Sequence, residues 1–183
     1  MSDKNLKMAT LGGGCFWCIE AVLQQVNGVE KIVSGYTGGT APGKPIYREV
    51  CSGLTGHAEV VQVNFNPDVI SFKDLLVIFM TSHDPTTLNR QGGDVGTQYR
   101  SVIYYHDGEQ KETAEEVIKE LASYYEGTIV TEISPLGEFH EAEDYHQDYY
   151  RNNQSQGYCS AVITPKLAKL RKMHADKLKG VSA

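Results

Sequence analysis

The residues best suited to chemistry lie beside a run of three glycines near the start of the chain. Residues 12–18 read GGGCFWC, and a short apolar run precedes them. If a helix begins here, its unpaired backbone N–H groups and the positive end of its dipole would stabilise a thiolate at Cys15, as a cysteine nucleophile requires. We expect Phe16 and Trp17 to be exposed and to line an apolar pocket beside the thiol. The alternative is a buried cysteine and two core aromatic residues under a turn.

The spacing of Cys15 and Cys18 is compatible with three kinds of site. A zinc site would need a second pair of ligands at similar spacing, but Cys51 and Cys159 are isolated in the sequence, so no metal is expected. A redox-active dithiol, as in thioredoxin-like proteins, also follows a strand and opens a helix. The third interpretation is a nucleophile with a second cysteine one helical turn behind it.

The composition argues against several classes of function. Lys+Arg 17 against Asp+Glu 23 gives a net charge of -6, so the chain offers no basic surface for nucleic acid. The longest apolar run, residues 75–80, is far shorter than the roughly 20 residues that span a bilayer, and no membrane association is expected. No secretory signal precedes the first apolar residues. We therefore expect a cytoplasmic protein whose thiols are kept reduced.

Predicted strands and helices alternate imperfectly, which favours an α/β (α+β) fold with helices packed on a sheet. The predicted strands cover residues 6–11, 29–36, 57–65, 99–105 and 128–133, and the predicted helices cover residues 15–26, 71–80, 114–125 and 141–151. A last helix starts at Thr164 and Pro165, with the threonine as its cap. Since no linker or repeat is present, residues 1–183 are expected to form a single domain with a C-terminal tail at about 152–183.

Four separated segments carry a resemblance to a known family. They are GCFW at residues 14–17, YREVCSG and TGHAE within residues 47–59, GGDVGTQYRS at residues 92–101 and HEAEDYHQ at residues 140–147. In content and order they resemble the signature segments of the peptide methionine sulfoxide reductase A family. The resemblance implies a ferredoxin-like two-layer sandwich with a mixed sheet, flanking helices and irregular loops. It also implies reduction of the S epimer of methionine sulfoxide, with thioredoxin as the reductant.

The resemblance implies a role for each of five side chains. Reduction of a sulfoxide requires a thiolate to attack the sulfur while the oxygen gains a proton, and Cys15 would supply the thiolate. Glu59 would be the acid, which requires that burial raise its pKa towards neutrality. Tyr47 and Tyr99 would donate hydrogen bonds to the same oxygen and stabilise the charge that builds on it. Asp94 would order the site through water or loop contacts.

The remaining expected site residues bind the substrate or restore the nucleophile. Phe16 and Trp17 would hold the methyl group of the substrate. Oxidised Cys15 would be a sulfenic acid, which a second thiol converts into a disulfide. We favour Cys159 as the resolving cysteine because it follows a polar loop, as in family members with one C-terminal resolving cysteine. Cys18 is the alternative, and a relay through both thiols stays open.

Two other classes of function compete with this interpretation. A thioredoxin-like disulfide exchanger would use Cys15 and Cys18 and would reduce insulin without reducing sulfoxides. A zinc-stabilised interaction module would hold nearly stoichiometric zinc. The four matching segments favour a reductase that needs no cofactor or metal. Its expected partners are thioredoxin and methionine sulfoxide, free or in oxidised proteins, and the expected state is a monomer.

Overall fold

The computed structural model describes residues 5–180 as strands and helices built around one mixed sheet. The strands are β1 (Lys7–Gly12), β2 (Val29–Thr37), β3 (Ala58–Phe65), β4 (Arg90–Gln91), β5 (Asp94–Val95), β6 (Val102–Tyr105), β7 (Glu132–Pro135) and β8 (His140–Glu141). The helices are α1 (Phe16–Leu23), α2 (Tyr47–Cys51), α3 (Phe72–Thr81), α4 (Gly108–Leu121), α5 (Tyr149–Asn152) and α6 (Thr164–His174). Six of the strands form the sheet, in the order β7-β6-β1-β3-β2-β8.

The centre of the sheet has the ferredoxin-like arrangement. One strand-helix-strand unit consists of β1, α1 and β2, and a second consists of β3, α3 and β6. Their strands interleave in the order β6-β1-β3-β2, and each neighbouring pair is antiparallel. This is the split strand-helix-strand motif. The predicted fold class is therefore confirmed.

The packing of the central strands fixes where the first loop leaves the sheet. Leu11 of β1 and Val61 of β3 are paired across the two strands and fully buried, and Ile19 of α1 is buried in the same core. At the end of β1, a Cβ on Gly12 would lie only 2.9 Å from the carbonyl oxygen of Glu59. The loop that carries Cys15 therefore starts directly beside the first residues of β3.

Two strands extend the central sheet, and a separate hairpin lies outside it. After α4 crosses over, β7 pairs in parallel with β6 at one edge. At the other edge β8 pairs with β2, at Gly35 and Tyr36. The short strands β4 and β5 form a separate hairpin. No helix among residues 5–180 is long and apolar enough to cross a membrane.

The structure departs furthest from the predicted elements between residues 140 and 152. A helix was expected over residues 141–151, but the chain forms β8, then a 3-10 turn at Asp144–His146 and only four residues of helix in α5. Asp148 has a left-handed φ of 53°, which interrupts a right-handed helix. The prediction of one continuous helix here was wrong.

Smaller differences occur at the ends of elements. The predicted strand at 99–105 begins only at Val102, because Thr97–Tyr99 form a 3-10 turn. α3 begins at its predicted cap, since the backbone N–H of Asp74 donates to Ser71 Oγ. Thr164 does not cap α6; its hydroxyl donates to the carbonyl of Cys159 in the preceding π-helical turn.

Candidate active site

The first loop places Cys15 at the start of α1. Cys15 is the residue immediately before the helix, and its carbonyl accepts the N–H of Cys18 at 3.0 Å. Gly14 has a φ of +94°, a conformation open mainly to glycine, and a Cβ there would lie 2.7 Å from the side chain of Gln91. A Cβ on Gly13 would contact the ring of His83 at 3.0 Å. The glycines therefore permit both the turn and its close packing.

The environment of Cys15 favours a protonated thiol in the resting state. Cys15 is 8% exposed. Burial, a hydrogen bond with Cys18 and the negative charge of Glu59 raise the pKa of Cys15 well above its usual value. The expectation that the helix start leaves a thiolate on Cys15 is therefore wrong for this state, because burial and the neighbouring groups outweigh the helix dipole.

Cys18 carries the more acidic thiol of the pair. The hydrogen bond with Cys15 and the positive charge of Lys166 lower the pKa of Cys18 to about 7, against the opposing effect of burial. The Tyr158 hydroxyl lies 3.4 Å from Cys18 Sγ. Because the two sulfurs share a hydrogen bond, the pair can give up one proton near neutral pH and leave a thiolate beside a thiol.

Glu59 lies in β3, beside the start of α1. It is 1% exposed, and its Oε1 accepts the backbone N–H of Phe16 at 3.1 Å. Its Oε2 has no hydrogen-bond partner among the described residues. Burial, aided by the charge of Asp94, raises the pKa of Glu59 to about 8, although the Phe16 N–H opposes the shift. A carboxyl group that keeps its proton at neutral pH is therefore held against the residue that follows Cys15.

Tyr47 and Tyr99 meet at a residue whose place in the site the sequence did not reveal. Burial raises the pKa of the Cys51 thiol, and the phenols of Tyr47 and Tyr99 beside it oppose that shift. Tyr47 is the first residue of α2 and Cys51 the last, so the helix holds both on one short element. Burial and the charge of Glu59 raise the pKa values of both phenols, which therefore keep their protons. Cys51 is half-buried between the two tyrosines.

The two aromatic residues after Cys15 differ in exposure. Phe16 is 1% exposed, so the expectation that it would be exposed is wrong. Its ring lies 5.6 Å from the ring of Tyr36 and 6.5 Å from that of Tyr47. Trp17 is partly exposed and stacks on Tyr149, with ring centroids 3.7 Å apart and planes within 6°. Phe16 forms the interior of this aromatic cluster, and Trp17 forms its border.

The C-terminal part of the chain closes over the two N-terminal cysteines. The Tyr158 hydroxyl donates to Asp94 Oδ2 at 2.8 Å. Cys159 is fully buried, and burial and the charge of Cys18 raise its pKa. A cavity of about 440 Å³ lies between these parts. Its lining includes Cys15, Cys18, Asp94, Tyr158, Val162 and Lys166.

Two buried or half-buried carboxylates hold the segments around the site together. Glu20 of α1 accepts the backbone N–H groups of Asp148 and Tyr149, both at 3.2 Å. Glu143 accepts the Tyr47 backbone N–H at 3.1 Å and the Tyr36 hydroxyl at 3.0 Å. No local pattern in the sequence signals these contacts, because each joins residues far apart in the chain.

The arrangement fits the reduction of a sulfur atom that is bonded to oxygen. Among residues 5–180, no group of three or more His, Cys, Asp or Glu side chains is placed to hold a metal ion. The site instead combines thiols, a protonated carboxyl group and two protonated phenols. A nucleophilic sulfur beside a proton donor and two hydrogen-bond donors suits a substrate with an electrophilic sulfur bonded to oxygen.

Comparison with known proteins agrees with this chemistry. The family model described as "Peptide methionine sulfoxide reductase" matches residues 7–178. The peptide methionine sulfoxide reductase MsrA of Deinococcus radiodurans is 56% identical over 175 residues, which cover 94% of this chain and 84% of that protein. Similarity of this extent covers every segment of the site.

Solved structures show the same relationship. The crystal structure of Mxr1 from Saccharomyces cerevisiae in reduced form has a TM-score of 0.77 at 35% identity, covering 84% of this chain and 89% of that one. The structure of Mxr1 in complex with Trx2 has a TM-score of 0.56 at 25% identity, covering 81% and 87%. Together with the family model, these matches show that the chain belongs to the peptide methionine sulfoxide reductase family and is an enzyme that reduces methionine sulfoxide.

Proposed function

We propose that the enzyme reduces the S epimer of methionine sulfoxide, free or peptide-bound, by attack of the Cys15 thiolate on the sulfoxide sulfur. The observation that carries the proposal is the placement of Glu59. This buried, protonated carboxyl group is bonded to the N–H of Phe16, next to the nucleophile. Because Phe16 directly follows Cys15, Glu59 lies close to the residue that carries the attacking sulfur. It can therefore give its proton to the oxygen of the sulfoxide.

The Cys15 thiol first passes its proton to the neighbouring Cys18 thiolate, so that the attacking sulfur is a thiolate and the step that follows balances with one proton. The Cys15 sulfur is oxidised and takes the oxygen, while the S–O bond of the substrate breaks and its sulfur is reduced to the thioether. Glu59 supplies the proton that the oxygen needs, so the products are methionine and a sulfenic acid on Cys15. Tyr47 and Tyr99 donate to the oxygen as charge builds on it, and Asp94 keeps Tyr158 in place. Phe16 and Trp17 hold the methyl group.

The resolving steps are proposed as a relay. Cys18 neighbours Cys15 and has the lowered pKa, so its thiol can lose its proton and attack the sulfenic acid, and that proton leaves with the oxygen as water. Cys159 lies near enough to Cys18 for their charges to interact. Its thiolate then attacks Cys18 and forms a Cys18–Cys159 disulfide, which frees Cys15. The expectation that Cys159 acts first differs from this relay in the order of the two thiols.

The proposed reductant is thioredoxin. The complex of the similar yeast protein Mxr1 with Trx2 supports this assignment. We further propose that the chain acts as a monomeric, single catalytic domain in the reducing cytoplasm, where its thiols stay free between turnovers.

Mapping of the first disulfide tests the relay. The reduced enzyme is mixed with methionine sulfoxide without reductant, quenched with acid over a time course and analysed by mass spectrometry. We expect a Cys15–Cys18 bond to form first, and Cys159→Ser to trap it. Cys51→Ser, which leaves all three relay thiols in place, is the matched control. A Cys15–Cys159 bond that forms first, with Cys18 still free, would overturn the relay and restore Cys159 as the direct resolving cysteine.

A further inference from the structure

We propose that His146 is a positioning residue for the reaction and fixes the indole of Trp17 in the wall of the substrate pocket. This inference rests on the proposed role of Trp17 in holding the substrate methyl group. His146 belongs to the 3-10 turn at Asp144–His146 and is fully buried, 129 residues further along the chain than Trp17. It has no part in the proton and oxygen transfers proposed above.

The hydrogen bond between the two rings sets the state of the imidazole. Trp17 Nε1, which can only donate, points at His146 Nδ1 at 3.0 Å. Nδ1 must therefore be the acceptor, and a neutral ring then carries its proton on Nε2. Burial lowers the pKa of His146, which favours the neutral ring. Protonation of Nδ1 would remove the acceptor that Trp17 uses.

The imidazole also contacts two other aromatic side chains of the site. Its centroid lies 4.3 Å from the ring of Tyr47 and 5.1 Å from that of Phe16. A single side chain thus contacts both residues proposed to hold the methyl group and one of the two phenols proposed to bind the oxygen. A shift of this ring would change all three at once.

Trp17 needs a restraint of this kind because it lies at the border of the cluster. Tyr149 restrains the indole by stacking on its face, and His146 restrains the N–H edge. Stacking alone permits an indole to slide and rotate in its plane, whereas a hydrogen bond at Nε1 fixes that rotation. The two contacts together hold the wall of the pocket in one orientation before the substrate arrives.

The second ring nitrogen indicates that His146 is not there for packing alone. His146 Nε2 is buried and has no hydrogen-bond partner among the described residues. An unpaired buried donor opposes folding, so an apolar side chain of similar size would serve packing better. The property that an apolar side chain lacks is the acceptor at Nδ1, which Trp17 uses.

Substitutions that keep or remove this acceptor test the inference. Asn places an oxygen close to the position of Nδ1, Gln places it further from the backbone, and Leu removes it. The kinetics are measured with a peptide that contains S-methionine sulfoxide. KM should increase about tenfold in His146→Leu and His146→Gln, with a smaller change in kcat. A tenfold effect requires the loss of only about one good contact. His146→Asn should stay within about threefold of the wild type.

Fluorescence gives a second measurement that does not depend on turnover. Trp17 is the only tryptophan in the chain, so emission anisotropy reports on this one indole. The decay should show no fast local motion in the wild type and in His146→Asn, and a fast component in His146→Gln and His146→Leu. Thermal unfolding of each variant identifies any that does not fold. If His146→Leu does not fold, the comparison of His146→Asn with His146→Gln still tests the inference.

A double-mutant cycle distinguishes positioning from general damage. In a Trp17→Phe background the donor is gone, so His146→Gln should have less than about a twofold further effect on KM. Equal effects of His146→Gln in the two backgrounds, or Asn and Gln variants that behave alike, would overturn the inference. Sulfoxide reduction by the wild type, and its loss in Cys15→Ser, test the proposed function separately.

Discussion

The nucleophile segment, residues 12–23, and the C-terminal segment, residues 140–163, build the two sides of the same site in different ways. The nucleophile segment is a strand end, a glycine turn and a helix, and its position follows from the pairing of β1 with β3. The C-terminal segment is a two-residue strand, a 3-10 turn, four residues of helix and a π-helical turn. Regular elements hold the first side, and side-chain contacts with distant residues hold the second.

The difference shows how the two sides depend on each other. Glu20 of α1 accepts the backbone N–H groups where α5 begins. The side-chain amide of Gln147 accepts the Ser34 N–H at Oε1 and donates from Nε2 to the Ser34 carbonyl. Contacts with the sheet and α1 therefore hold the C-terminal segment in its position. The nucleophile segment in turn receives its cover, Tyr149 and Tyr158, from that segment.

This contrast explains which features could be predicted from the sequence. The glycine turn, the helix after Cys15 and the Ser71 cap rest on residues close together in the chain, and local patterns predicted them. The burial that raises the pKa of Glu59 was expected from the role that the family resemblance implied.

Features that depend on distant contacts could not be predicted in this way. The apolar and polar residues of 141–151 are compatible with a helix, but Glu20 and Gln147 bind backbone groups that a helix would use internally. Cys51 in contact with Tyr47 and Tyr99 was missed because the three meet only when α2 packs against the 3-10 turn at Thr97–Tyr99. His146 was missed for the same reason.

The largest effect within the nucleophile side is expected from Glu59→Gln. The amide is similar in shape but cannot donate an acidic proton, so kcat should fall by about 10²–10⁴-fold while the fold is kept. In the wild type, kcat should fall above about pH 8 as Glu59 loses its proton, and this limb should be absent in the variant. Steady-state kinetics over pH 6 to 10 would check both; a variant with wild-type kcat would exclude Glu59 as the acid.

The same substitution should change how stability depends on pH. The pKa of Glu59 is raised by burial from 4.5 to about 8, so the folded state holds a proton that the unfolded state loses between these values. The free energy of unfolding should therefore fall as the pH rises through this window, and fall less in Glu59→Gln. Urea unfolding at pH 5 and pH 8 measures the difference; a steeper fall in the variant would contradict the assignment.

An intermediate effect is expected where the two sides are joined. Glu20→Ala leaves the N–H groups of Asp148 and Tyr149 and the hydroxyl of Ser34 without their acceptor, which should lower the free energy of unfolding by about 2–3 kcal/mol. Glu20→Gln keeps one oxygen and should lose less. Urea unfolding measures both. If Ala and Gln cost the same, the carboxylate does not hold the C-terminal segment through these bonds.

The smallest effect is expected from Gly14→Ala. A residue with a Cβ is strained at a φ of +94° and meets Gln91, so the free energy of unfolding should fall by about 1–2 kcal/mol. Gly108→Ala is the matched control, because a Cβ at Gly108 meets nothing within 4 Å and α4 begins there. A control that loses as much stability as Gly14→Ala would show that the turn does not require glycine at this position.

The central claim is that Cys15 is the only cysteine that attacks the sulfoxide. Its most direct test is one turnover by Cys18→Ser/Cys159→Ser, without reductant, with the S epimer of methionine sulfoxide. The account predicts about one methionine per chain, and dimedone should label a sulfenic acid at Cys15, because the proposed resolving thiols are gone. Methionine formed by Cys15→Ser, or none formed by a folded double variant, would contradict it.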